Sequence, residues 1–504
     1  MKKLLSKIMA CLMALTMVMG TATVAMAASS SDTGSITINL GEEAQTQLTA
    51  TAYQIASATY DNDGNFLGYE MTVSGNFDFT IGQYGDYDND ALTEANLAKI
   101  FAAATSQSVS KYTGTASIGA ESIIISNVPV GAYLIVIEGS ESTVYGMMIG
   151  SVYYDEDGDV ANGEIANVKN ATVWAKAATP SILKEETGGH LDDYEHGGST
   201  DVGDTLTYHI TVSNIPSYRG EHPEFEVEDI IDSRLEITDT ELGELTVTVS
   251  DGTVLTKDTD YTVERTATGF EVNFVVDGSY TLNKYAGLSL VIEFQADVTE
   301  ATTSDADDHE NDAVLTYATT SYATGSEGTD KDADHEYTFA VKAYKVDGSG
   351  EALSEAEFAL YTDPSCTTEY TQDGKAVTTT SGDDGSIIFS GLEEGTYYLK
   401  ETEAPAGYAL DTAVYTVEIS AEYDAQTSKN GGEISSWTVT IKDASGNTLK
   451  SVTSTSDTGF QITNNQVGSL PSMGGMGTTL FIILGCAIMA SAAFVVVRSR
   501  RRLA

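Results

Sequence analysis

Cysteine is nearly missing: three residues in 504, at positions 11, 366 and 486, are too few for a disulfide framework. Proline is scarce too, and seven in the whole chain exclude a long proline-rich stalk. Basic residues are outnumbered, 25 Lys and Arg against 75 Asp and Glu, leaving a formal charge of −50. A polyanion of that size repels phosphate backbones and anionic lipid, which excludes nucleic acid as a partner. The six histidines are scattered without zinc-ligand spacing. No catalytic triad, phosphate loop or metal constellation is visible, so no enzyme, cofactor or bound metal is expected. The acidic loop Asp155-Glu156-Asp157-Gly158-Asp159 and the stretch 305–310 lack EF-hand spacing and read as solvated hairpin tips. What the chain does have is 41% apolar residues, enough to fill cores.

The two ends are specialised. Lys2, Lys3 and Lys7 precede an apolar stretch over 8–19 and a small-x-small site at Ala25-Met26-Ala27, so residues 1–27 read as a secretion signal. At the other end 478–497 is an uncharged run long enough to cross a bilayer as a helix, followed at once by Arg498, Arg500, Arg501 and Arg502. On this reading the chain between lies outside the cell, with Cys366 its one cysteine. Small exported domains normally need a covalent staple, and disulfides do not supply it here.

Between the ends, apolar residues alternate with polar ones. Leu206, Tyr208, Ile210 and Val212 do so, as do Phe270, Val272, Phe274 and Val276, then Leu288, Leu290, Ile292 and Phe294, then Trp437, Val439 and Ile441. Period two means strands with one buried face. Asp157-Gly158, Asp251-Gly252, Asp347-Gly348 and Asp384-Gly385 supply turns. The fold class is therefore mainly β: tandem Ig-like sandwiches. One helix is expected in the first domain, from Leu92, Leu97, Ile100, Phe101 and Ala104 with Asp90 as N-cap. Polar stretches at 176–181 and 323–336 divide the chain into domains at 29–175, 178–323 and 337–467, with 470–504 as a C-terminal tail.

The stretch Tyr397-Tyr398-Leu399-Lys400-Glu401-Thr402-Glu403-Ala404-Pro405-Ala406-Gly407-Tyr408 resembles the E-box of Gram-positive pilins and of Cna B-type domains. Lys345-Val346-Asp347-Gly348 resembles the opening strand of that domain, and Phe460-Gln461-Ile462-Thr463-Asn464 its closing strand. The resemblance implies an intramolecular isopeptide bond between Lys345 and Asn464 assisted by Glu401. Asn465 is a rival acceptor, although alternation puts Asn464 on the face of Phe460 and Ile462. The chemistry stands without the family. Lysine attacks an amide when unprotonated, burial disfavours its ammonium, and the same burial raises a neighbouring carboxyl. A neutral Glu401 would hydrogen-bond the Asn464 carbonyl and shuttle a proton to departing ammonia. Folding supplies the effective concentration.

Ile182-Leu183-Lys184, Phe225-Glu226-Val227-Glu228-Asp229 and Asn311-Asp312-Ala313-Val314-Leu315-Thr316-Tyr317 resemble the Cna A-type middle domain of pilin shaft subunits. A second bond, Lys184 to Asn311 helped by Asp229, is implied; Glu228 should face the other way. In the first domain Val128-Pro129-Val130-Gly131-Ala132-Tyr133-Leu134 resembles the Cna B family loosely, but Glu138 is out of E-box register and no lysine lies between Lys7 and Lys99. No crosslink is expected there.

Leu470-Pro471-Ser472-Met473-Gly474, then an apolar span, then arginines, resembles the cell-wall sorting signal of Gram-positive surface proteins, which usually carries Thr where this chain has Met473. The resemblance implies cleavage by a sortase after Met473 and transfer of the new carboxyl end to an amine. The family's accepting lysine sits in a Tyr-Pro-Lys-type motif; here the matching segment is Val173-Trp174-Ala175-Lys176, with Lys169 a nearby rival. The whole pattern resembles a sortase-assembled shaft pilin, with sortase, further pilin subunits and peptidoglycan as partners. The alternative is a wall-anchored adhesin or minor pilin that contacts a host or bacterial surface ligand. No ligand motif is present, and Arg219-Gly220-Glu221 is not an integrin tripeptide.

Overall fold

The computed structural model describes residues 29–500 except 63–65, 83–85, 88–93, 155–166, 219–222, 303–305, 323–325, 454–458 and 468–475. The secretion signal, Asp90, Leu92, the Asp155–Asp159 loop, Arg219-Gly220-Glu221 and the sorting motif Leu470 to Gly474 thus lie outside the described residues.

Strands dominate, arranged as tandem sandwich domains. The alternation read from the sequence is the cause. Leu206, Tyr208, Ile210 and Val212 are fully buried along strand Thr205–Ser213, while their neighbours are partly or fully exposed. Each such inward side chain contributes about 1.5–3 kcal/mol of burial. Val276 departs from the pattern: the inward face of its run ends at Phe274, and Val276 belongs to a short hairpin with Ser279–Tyr280.

The first core gathers under strands Thr33–Asn39, Leu48–Tyr60, Ser122–Pro129 and Gly131–Glu138. The expected helix is there, Glu94–Ser106. It buries Leu97, Ile100 and Ala104 and sets Phe101 edge-on to Tyr53 and Tyr322. Tyr322 belongs to the chain leaving the middle region, and nearby Tyr317 and Ser321 donate hydrogen bonds to the carbonyls of Ser142 and Tyr145, both 2.8 Å.

The middle core lies between two facing sheets. One orders Leu191–Glu195, Ser181–Gly188, Thr205–Ser213, Leu290–Val298 and Leu235–Glu236; the other holds Phe225–Ile231 beside Ala306–Ala318. A 21-residue strand, Glu327–Asp347, then runs out of the second sheet. Residues 327–339 pair with Ala306–Ala318, while the remainder pairs with Ser386–Leu392 and, in parallel, with Phe460–Asn464. At ~3.3 Å per residue this strand is about 70 Å long.

The polar stretch 323–336, expected as a separator, is therefore strand wherever it is described from Glu327 onward. Asp332, Asp334 and Glu336 alternate along the strand and are fully buried, not solvated.

Helix Met476–Arg500 occupies the C-terminal run. Ile482, Ile483, Leu484, Ile488, Met489, Phe494 and Val495 are each more than half exposed and cover nothing. Among the described residues no helix is long and apolar enough to cross a membrane.

Candidate functional site: two buried lysine–carboxyl–carboxamide clusters

Strand alternation aims Lys345, Glu401 and Asn464 into one dry pocket. Lys345 shares its face with Ala343, Glu401 shares one with Tyr397 and Leu399, and Asn464 follows Ile462. Parallel pairing sets Lys345 opposite Ile462 and Asp347 opposite Asn464, so the lysine reaches along its own strand to the carboxamide. All three side chains are buried. Lys345 Nζ donates to Asn464 Oδ1 at 2.5 Å and lies 3.2 Å from Glu401 Oε1. Asn464 Nδ2 donates to the same Glu401 oxygen at 2.8 Å. Phe358 forms an apolar wall beside the amine, its ring centroid 5.6 Å away. Asn465, the rival acceptor, is exposed.

Burial pushes the Lys345 ammonium below its ordinary value, with Glu401 opposing. Two points differ from the sequence reading. Glu401 contacts the amide nitrogen of Asn464, and Lys345 contacts the carbonyl oxygen, the reverse of the expected pairing. The second Glu401 oxygen accepts the Asp411 backbone N–H at 2.6 Å, a contact supplied by the chain that follows the E-box turn. Nothing in the motif announces that anchor.

The second cluster is built across the two facing middle sheets. Lys184 lies between Ile182 and Glu186 on the inward face of one, Asp229 and Asn311 on the inward faces of adjacent strands in the other. All three are fully buried, and Glu228 faces the other way, half-buried. Lys184 Nζ is hydrogen-bonded to Asp229 Oδ2 and sits 4.9 Å from the Tyr208 ring centroid and 5.2 Å from that of Phe294. Burial lowers the Lys184 ammonium, with Asp229 opposing, and pushes Asp229 up to about 6, with Lys184 opposing.

No hydrogen bond joins Lys184 to Asn311. Both polar atoms of the Asn311 side chain lack a protein partner. An unsatisfied buried amide group costs about 1–3 kcal/mol. A buried ion pair is also a poor stabiliser, because desolvation amounts to several kcal/mol per ion. The arrangement therefore makes little sense as packing and good sense as chemistry.

Sequence reasoning missed the company Lys184 keeps. Glu186, Asp334 and Glu336 are buried nearby: burial and then acidic neighbours raise Glu186 and Glu336, while burial raises Asp334 to about 6 against the Gly197 N–H, Lys184 and His196. The period-two spacing of Asp330, Asp332, Asp334 and Glu336 was the available signal. Among the described residues, Asp201, Asp204 and Glu393 also converge. Asp201 there already accepts the Tyr370 hydroxyl and the Glu393 N–H.

Lys176 is exposed between strands Ala171–Trp174 and Ala177–Ala178, its carbonyl accepting the Gly146 N–H at 2.8 Å. Trp174, on the same segment, is 68% exposed. Cys366 is free and half-buried.

Comparison with known proteins follows the geometry. Residues 339–432 match the SpaA prealbumin-like fold domain. The chain is 25% identical to the trypsin-resistant surface T6 protein of Streptococcus pyogenes serotype M6, over 90% of this chain and 93% of that protein. Its fold matches the crystal structure of the T6 backbone pilin of serotype M6 Streptococcus pyogenes at a TM-score of 0.57 and 20% identity, covering 88% of this chain and all of that one. The full-length major pilin SpaD from Corynebacterium diphtheriae is also similar, at 22% identity and a TM-score of 0.45 over 76% of this chain and 90% of that one. The chain thus shares the fold of the T6 backbone pilin and carries a SpaA prealbumin-like domain over 339–432.

Proposed function

We propose that this chain is a shaft pilin that welds itself internally at Lys345–Asn464 and Lys184–Asn311 and is then joined head to tail, by a sortase, from Met473 of one subunit to Lys176 of the next. The observation that supports this best is the Glu401 oxygen touching both the amine of Lys345 and the leaving nitrogen of Asn464 inside a dry pocket.

The reaction balances on those atoms. Glu401 takes a proton from the Lys345 ammonium. The neutral Nζ moves from Oδ1 onto the adjoining Cγ of Asn464, and a C–N bond forms. Glu401 returns the proton to Nδ2, the bond from Cγ to Nδ2 breaks, and ammonia leaves; the second Nζ proton then passes through the Glu401 carboxylate to that ammonia, leaving a neutral amide and releasing ammonium. Asp229 does the same for Lys184 and Asn311. Each site reacts once per molecule, so this is self-processing and not turnover. Polymerisation through one lysine and one carboxyl end is heterologous and does not close, which yields an open fibre. The sorting segment and the exposed apolar helix after it support transfer to peptidoglycan at the cell surface.

Intact mass of the secreted ectodomain tests the reading. It should fall below the sequence mass by two ammonias, and a full sequence mass from folded protein refutes it. Asp229→Asn is expected to remove one of the two losses. Digestion should then show Lys184 and Asn311 on separate peptides while the Lys345–Asn464 pair stays joined.

A further inference from the structure

Strand Ser181–Gly188, which carries Lys184, pairs with Thr205–Ser213 on one side over its full length. On its other side Leu191–Glu195 reaches only Glu186 and Gly188. The N–H groups of Ile182 and Lys184 consequently have no neighbouring strand. Carboxylates from Glu327–Asp347 take them instead: Asp330 Oδ2 accepts from Ile182 at 2.9 Å and Asp332 Oδ2 from Lys184 at 2.7 Å. These two side chains stand in for a missing strand and set the height of Lys184 above Asp229 and Asn311.

The same two carboxylates are held by the third region, through loop 424–433. Lys429 Nζ pairs with Asp330 Oδ2, and the Asn430 N–H donates to Asp332 Oδ1 at 2.6 Å. His196 closes the circuit. Its Nε2 lies 3.0 Å from Asp332 Oδ2 and its Nδ1 lies 3.1 Å from the Gln426 carbonyl. Both nitrogens face acceptors, and although burial works against the charge, the Asp332 carboxylate raises the ring above its ordinary value, which favours the imidazolium. Gln426 in turn donates to the Gly197 carbonyl at 2.6 Å, and its own carbonyl accepts the His196 N–H at 2.7 Å. Two glycines permit this approach: a Cβ on Gly432 would meet Gly197 N at 2.6 Å, and Gly432 also has φ +89°.

We propose that loop 424–433, acting through His196, Asp330 and Asp332, is the positioning element for Lys184, so that the middle crosslink forms only once the third domain has docked. The inference rests on the Lys184–Asn311 reading above. It orders assembly along the chain: the third domain folds, seats its loop, and thereby licenses the middle bond. His196 and Asp332 touch neither reacting nitrogen and act through the Lys184 backbone.

The test is cell-free synthesis of the full chain, sampled over time and digested, with both crosslinked peptides quantified by mass. In the unaltered chain both appear. Gly432→Ala pushes the loop off while leaving Lys184, Asp332 and the distant Asp201–Tyr370 contact in place. It should form the Lys345–Asn464 bond at the normal rate and the Lys184–Asn311 bond on the order of tenfold to a hundredfold more slowly. His196→Ala should do the same, and His196→Gln, whose amide still donates to Asp332, should recover part of the rate. A middle bond formed at the unaltered rate in Gly432→Ala and His196→Ala overturns the inference alone. Its absence from the unaltered chain overturns the crosslink reading and the inference with it. Should Gly432→Ala lose both bonds, the His196 pair decides, and an unslowed His196→Ala overturns the proposal.

Discussion

Glu401→Gln is expected to leave Lys345 and Asn464 unjoined, and the third domain should lose about 5 kcal/mol of stability as a result. Glutamine keeps the size and much of the hydrogen bonding of the native side chain, but it cannot take a proton from an ammonium. The nucleophile then has no base within the pocket. The stability loss follows from topology: the bond spans 119 residues, nearly a domain, and removing it restores chain entropy to the unfolded state. For a domain of this size the unfolding midpoint should drop on the order of 15 °C. Calorimetry beside intact mass measures both consequences together. A Glu401→Gln chain that still sheds ammonia at this site would show that the carboxyl is dispensable.

The second large effect concerns polymerisation. Lys176→Ala should abolish the ladder of boiled wall extracts on an immunoblot, leaving a monomer-sized band. Lys169→Ala should leave the ladder unchanged. Lys169 and Lys176 are both exposed; what favours Lys176 is its place on the segment of Trp174, whose indole is largely uncovered. Lys176 belongs to neither buried cluster, so the Lys176→Ala monomer should keep its full loss of ammonia. A ladder that survives Lys176→Ala rejects this residue as the acceptor.

Much of this was legible in the amino-acid order, for identifiable reasons. Strands announced themselves because Leu206 to Val212 and Trp437 to Ile441 must bury every second side chain. Lys345, Glu401 and Asn464 were legible through the resemblance of their three segments to an E-box domain, and parity with Phe460 and Ile462 chose Asn464 over Asn465. Glu228 was separated from Asp229 by the same parity, and the structure keeps them on opposite faces.

The stretch 327–336 defeated that logic. Its alternation was visible, but with carboxylates at every second place it looked solvated. No property of Asp330 or Asp332 alone reveals that Ile182 and Lys184, some 148 residues away, expose edge N–H groups that need acceptors. His196 was unreadable for the same reason: its partners Asp332 and Gln426 come from distant segments. The orientation of the Asn464 amide was also beyond sequence, since it depends on which neighbour arrives at which end.

The strand Glu327–Asp347 gives these details a mechanical setting. It enters both sandwiches without a loop between them, carrying Asp332 at one end and Lys345 at the other. A pull along the fibre that enters the third domain at Lys345 meets Asn464 on the neighbouring parallel strand. With those side chains joined, tension runs through covalent bonds, and the sheet cannot unzip between its first and last strands.

The most direct test is fragmentation of the digested ectodomain by tandem mass spectrometry, read at the peptide that contains Lys345. The account predicts a branched species in which Lys345 Nζ is acylated by the Asn464 side chain, one ammonia short of its two parts. Two separate linear peptides of full mass, from protein shown to be folded, would contradict it.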